Sequence, residues 1–179
     1  VSDLGFGGMT VTEVQAWLAT RVHKETDCPC CHRRVRYRRR PLNNNMATFL
    51  VSLDAIYLRN GNQWVHHKKC TYKDRDYTAL AYWGLIEPKV NLSTKKRTSG
   101  FWRPTERGHA FAWNRITVLS HIVTYNSTLI SIDGTPVTIS QVKDFDFGAM
   151  MADHGIGGAY PSFPPPRPEP PVPRGTIIQ

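Results

Sequence analysis

Hydrophobic residues recur at helical spacing in two stretches of the chain and at strand spacing in several others. Val11, Val14, Trp17, Leu18 and Val22 share one face of a helix that opens at the capping box Thr10–Glu13 and runs to about Lys24. Met46, Phe49, Leu50, Leu53, Ile56 and Tyr57 mark a second helix over 44–59, capped by Asn43 and ended by Asn60-Gly61. A short strand is expected over 63–66. Asp74 caps a third helix, 75–83, that stops at Gly84, and Thr105 caps a fourth over 106–113. Between those two, Leu85-Ile86-Glu87 starts an extended arm, Ser93–Ser99 makes a polar basic tip, and Phe101-Trp102-Arg103 returns. His121–Tyr125, Leu129–Ile132 and Val137–Ile139 read as strands, with Asp133-Gly134 as a hairpin turn between the last two. One more short helix is expected over Gln141–Met151.

Composition changes this picture at both ends. Gly5, Gly7 and Gly8 make residues 1–9 a flexible leader, with Met9 a natural initiator. Eight of the thirteen prolines stand between Pro161 and Pro173, so 155–179 is a polyproline-like or disordered tail rather than core. That tail contains Arg167-x-x-Pro170-x-x-Pro173, a spacing similar to ligands of SH3-type domains. The expected organisation is an α+β domain over 10–114, a small β-rich extension over 115–154, then the tail. No run of apolar residues is long enough to cross a membrane, and no secretory signal opens the chain, so a cytoplasmic protein is expected.

The net charge of +9 is unevenly placed: residues 1–114 hold 19 Lys and Arg against 9 acids, while 115–179 hold 4 against 5. A polyanion partner follows, nucleic acid before membrane surface and DNA before RNA. Arg33, Arg34, Arg36, Arg38, Arg39 and Arg40 stand together without an acid. As a strand, this run would place Val35, Tyr37 and Arg39 on one side and Arg34, Arg36, Arg38 and Arg40 on the other, as a phosphate-tracking stripe. The competing reading is a solvated face that only aids solubility.

Three of the four cysteines, Cys28, Cys30 and Cys31, crowd into four positions, a poor disulfide framework and a better thiolate cluster. Cys28 and Cys31 form C-x-x-C, and His66, His67 and Cys70 have the spacing to complete a tetrahedral zinc site, with Cys30 as a spare. Free thiols beside surface histidines are the alternative. No Cys–His–acid set suited to nucleophilic catalysis is recognisable.

Trp83-Gly84-Leu85-Ile86-Glu87, a basic loop, and Trp102-Arg103-Pro104-Thr105-Glu106-Arg107-Gly108 together resemble the wing region of winged-helix DNA-binding domains, particularly those similar to the multiple-antibiotic-resistance regulator family. With the C-P-x-C sequence of Cys28–Cys31, the layout is also similar to small uncharacterised phage and prophage proteins with a zinc knuckle. The resemblance implies a winged-helix-like domain in which 75–83 reads the groove through Arg75, Thr78 and Tyr82. Tyr77, Leu80 and Ala81 would then face the core, with Ala79 outward. Lys95, Lys96 and Arg97 would meet phosphate or the minor groove from the wing tip. The second helix of such a domain would have to come from 67–73.

The expectation is therefore a non-enzymatic, duplex-DNA-binding regulator of phage or mobile-element origin. The alternative is an interaction protein whose basic face binds and inhibits or modulates an acidic or RNA-containing complex, such as a defence complex, polymerase or ribosome. A nuclease using His66, His67 and Asp74 or Asp76 matches no defensible motif.

Overall fold

A computed structural model describes residues 9–21, 24–90, 99–125 and 128–154. The fold is mixed α+β, and its centre is the helix the second stripe predicts, α2 (Asn44–Arg59); α1 is Val11–Ala19. Asn43 caps α2 by accepting from the Met46 N–H. Burial exceeds the stripe: Met46, Ala47, Phe49 to Ala55 are all buried, so α2 is covered nearly all round rather than on one face.

Two antiparallel three-stranded sheets contribute to the core that holds α2. In one, β4 (Val65–His66) and β5 (Ile86–Pro88) both pair with β6 (Phe101–Pro104), which lies between them. In the other, the order is β3 (Tyr37–Pro41), β7 (Val118–Tyr125), β8 (Thr128–Val137). Sequence-distant arginines 38 and 40 thereby lie opposite Thr124 and Ile122. Val118, Ile122, Ile139, Val142 and Phe145, from the β-rich extension, join the same core cluster as Phe49, Leu50, Trp83 and Phe111.

Helix α3 (Glu106–Ala112) closes the first sheet at its base. Gly84 takes the left-handed conformation expected of it (φ +68), and the Thr105 hydroxyl donates to the Gly84 carbonyl (2.6 Å) while accepting from the Gly108 N–H (2.9 Å). Gly108 has no substitute here, since a Cβ would stand 1.8 Å from the Leu85 carbonyl oxygen.

A separate front unit holds α1, with its capping box formed as expected, and a hairpin of β1 (Thr26–Asp27) and β2 (Arg34–Val35). Its core is only Val14, Cys28 and Val35, against which Met9, Leu18, Cys30 and Tyr125 pack. The Tyr125 hydroxyl, from β7, donates to the Leu18 carbonyl (3.2 Å) and fastens the unit to the second sheet.

Several local expectations are corrected. Helix α1 stops at Ala19, short of Lys24. The arginine strand is broken at Arg36 into β2 and β3. Asp133-Gly134 is not a hairpin turn but lies inside β8, where Gly134 (φ +93) sits in a bulge: Leu119 faces Pro136 and His121 faces Asp133, one residue more on β8 than on β7. The helix expected over 141–151 is a 3-10 turn, Ile139–Gln141, followed by α4 (Phe147–Asp153). In place of a helix over 67–73 there is one 3-10 turn, His67–Lys69. The helix expected over 75–83 is a 3-10 helix, Arg75–Ala81.

Candidate nucleic-acid interface

The 3-10 geometry of Arg75–Ala81 decides which of its residues face water. At three residues per turn, Tyr77, Leu80 and Trp83 line the buried side, and Arg75, Thr78 and Ala81 line the exposed one. Helical spacing had exchanged two of these: Ala79 is buried and Ala81 is exposed. Tyr82 is half-buried against the core. The seven-residue element thus offers Arg75 and Thr78 to a partner, and the Thr78 hydroxyl already donates to the Arg75 carbonyl (3.1 Å).

Strand β3 runs beside this element. Arg40 reaches Asp76 (3.6 Å), which joins the arginine strand to the 3-10 helix. Strand β3 is the edge of its sheet, and along it Glu25, Arg36, Tyr37, Arg38, Arg39 and Arg40 line an open concavity of about 530 Å³. Alternate residues on a strand repeat about every 6.6 Å, close to the repeat of a sugar–phosphate backbone. Charged side chains on an edge also protect it from pairing with another strand, which is the purely structural role the run can serve.

Acids missed in the sequence control this face. Arg36 pairs with Glu25 (2.8 Å), and Arg34 lies near both Glu25 (3.6 Å) and Asp27 (3.8 Å). Arg39, expected on the opposite side of a regular strand, lines the concavity and pairs with Asp133 (3.1 Å). Arg38 forms no ion pair among the described residues. All these pairs are exposed, so each contributes on the order of 0–1 kcal/mol and yields readily to a stronger anion. The signal in sequence was only an acid count; the pairing needs the sheet. Lys95, Lys96 and Arg97 lie outside the described residues.

The residues expected to share a zinc ion are divided between regions. Cys28 and Cys31 stand in the front hairpin, whereas Cys70 is buried in the main core, where burial pushes its thiol up to about 12. Among the described residues no three of His, Cys, Asp and Glu come together as a metal-holding group. The cysteines of the expected zinc set thus pack in two different core clusters among the described residues. Cys28 is buried in the front core, and hydrogen bonding from the backbone of Cys31 and Cys30 holds its thiol below the usual range.

His66 and His67 belong to an aromatic column instead. The rings of His66 and His67 stack at 4.8 Å, His67 on Tyr77 at 5.8 Å, and Tyr77 on Phe49 at 4.0 Å, leading from the surface to the core. His67 Nδ1 bonds the Tyr72 hydroxyl (2.8 Å), and burial, then the charges of His66, Lys68 and Arg75, hold its pKa down. A second polar group that sequence reasoning missed welds α2 to α3: buried Asp54 bonds His109 Nδ1 (2.7 Å) and accepts from the Trp113 indole (2.8 Å). Asp54 falls within an apolar stripe, and that anomaly was the available signal.

Compared with family models, with curated proteins and with solved structures, the chain finds no match in any of the three. Among the described residues no helix is long and apolar enough to cross a membrane.

Proposed function

We propose that the protein is a non-enzymatic nucleic-acid-binding regulator that holds duplex DNA against β3 and the Arg75–Ala81 element. One observation carries this reading. The Arg40–Asp76 contact makes the arginine strand and the 3-10 helix one continuous surface, bearing Arg36, Arg38, Arg40 and Arg75. The order of elements supports a winged-helix-like arrangement: α2, β4, two short 3-10 segments, then the β5–β6 arms, with β4, β5 and β6 in one sheet. Arg75 is the one exposed side chain of the 3-10 helix able to grip guanine with a fork, and Thr78 is a weaker reader. Affinity is therefore assigned to backbone phosphates and specificity to DNA shape. Regulation would follow from occupancy of DNA, with no chemistry required.

Fluorescence anisotropy on a random 30-base-pair duplex across a salt series tests the reading. The expected result is binding with a steep slope, at least about three counterions released. No binding at low salt would overturn it.

A second reading has a specific observation behind it. Arg34, Arg36, Arg39 and Arg40 are already engaged by carboxylates of the same chain, so the face recognises carboxylates as well as phosphates. An acidic protein surface would suit it, and binding of such a partner without affinity for duplex DNA would select this reading.

A further inference from the structure

The outer face of the β4–β6–β5 sheet carries side chains that the duplex-binding reading does not use. Register fixes their arrangement: Val65 lies opposite Trp102, His66 opposite Phe101, and Glu87 opposite Arg103. The Lys89 N–H donates to the Phe101 carbonyl (2.9 Å), which carries the pairing one step beyond β5. Val65 and Trp102 are buried, so the residues that alternate with them point away from the core. Two cross-strand rows result. One is Trp64, Arg103 and Glu87; the other is His66, Phe101 and Lys89.

The rows differ in how their charges are met. In the first, the Arg103 guanidinium lies over the Trp64 ring (4.6 Å) and pairs with Glu87, so ring, cation and acid satisfy one another. The second has a lysine where the first has its acid. The Lys89 ammonium stands 5.8 Å from the Phe101 ring centroid, and the Phe101 and His66 rings meet edge to face at 5.0 Å. Neither Lys89 nor Lys68, which follows the two histidines, forms an ion pair among the described residues. Phe101 is 37% exposed although β6 is the central strand of its sheet. His66 is held in place, since its Nδ1 accepts from the Lys68 N–H (3.3 Å) and its ring stacks on His67 (4.8 Å).

An exposed ring set among a fixed imidazole and two unpaired ammonium groups suits a flat aromatic ligand that carries negative charge on either side. Bases in a duplex stack on one another, so the ligand that can lay a base on such a ring is an unpaired strand. An acidic protein surface would engage the lysines and leave the ring uncovered. We propose that the row His66–Phe101–Lys89 binds single-stranded nucleic acid, with an unpaired base stacked on Phe101 and the neighbouring phosphates held by Lys68 and Lys89. The site lies on a different sheet from β3, and the inference is independent of the duplex-binding reading.

The test uses the full chain and a fluorescein-labelled oligothymidylate of about 20 nucleotides, which spans such a site and has no structure of its own, followed by anisotropy. The expected result is binding at low salt. Phe101→Ala should weaken it about fivefold or more, the loss of one base–ring stack, and Phe101→Trp should retain it. Whatever affinity the native chain has for duplex DNA should be the same in both variants, so the single-strand result decides whether or not duplex is bound. Thermal midpoints report whether each variant is folded. A second readout needs no variant: an oligothymidylate carrying 5-iodouracil is irradiated on the native chain, and the crosslinked residue is located by mass spectrometry. The expected crosslink is to Phe101 or His66. No binding at low salt, an unaltered affinity in folded Phe101→Ala, an equal loss for duplex, or crosslinks confined to other residues would each overturn the proposal.

Discussion

The two cores of this protein differ in kind. The main one, around α2, buries Trp83, Phe49, Phe111, Met46 and several leucines almost completely, and draws on both three-stranded sheets. The front one buries Val14, Cys28 and Val35. The hydrophobic effect scales with apolar area removed from water, so the first region is stable by burial and the second is not. The lesson concerns the charged face. Strand β3 is paired with β7 of the large region, so its arginines are presented by a rigid support, while Glu25, Asp27 and Arg34 belong to the weaker unit beside it. The proposed partner surface lies where the two regions meet.

The largest effects should come from the main region. Asp54→Ala leaves His109 and the Trp113 indole without the carboxylate that joins them, and should cost about 3 kcal/mol in urea unfolding. A loss under about 1 kcal/mol would mean that the network adds little to the α2–α3 contact. Gly108→Ala drives a methyl into the Leu85 carbonyl and should cost at least about 3 kcal/mol, or prevent folding, read by the thermal midpoint.

Val14→Ala probes the front unit, and it sharpens the contrast. Losing two methyls should cost about 1.5 kcal/mol. The loss should appear as faster hydrogen exchange over residues 9–35 while the main thermal transition stays in place. A matching drop in that transition would show that the two regions unfold together.

Smaller effects concern pH. The folded pKa of His67 is lowered, so the unfolded chain binds more protons below the ordinary histidine value of about 6.5. Stability is therefore full above that value and falls as the pH drops through it toward the folded pKa. His67→Gln should flatten this acid-side slope in denaturant titrations at several pH values, with little change at pH 8.

Local signals made much of the main region legible. The capping residues Asn43 and Thr105, the stripe Met46–Tyr57 and left-handed Gly84 each act within a few residues, and each is found where expected. What failed was set by distant partners. Gly134 has the positive φ that a hairpin turn uses, but pairing with β7 spends that geometry on a bulge. Residues 75–81 have the caps of an α-helix, yet the requirement that Tyr77, Leu80 and Trp83 all reach the core winds them at three residues per turn. In the candidate site the arginines were visible, but Glu25, Asp76 and Asp133, which hold them, were not, because each is brought in by tertiary contact. The metal set differs in the same way: C-x-x-C spacing is local, whereas its union with His66, His67 and Cys70 is a tertiary matter, and Cys28 and Cys70 pack in different core clusters.

The measurement that tests the central claim most directly compares salt slopes of duplex binding for the native chain and for Arg36→Ala/Arg38→Ala/Arg40→Ala. If β3 tracks the phosphate backbone, the native slope reflects at least about three released counterions, and the variant loses about one for each arginine that contacts phosphate. An unchanged slope, with the variant shown to be folded, would contradict the account.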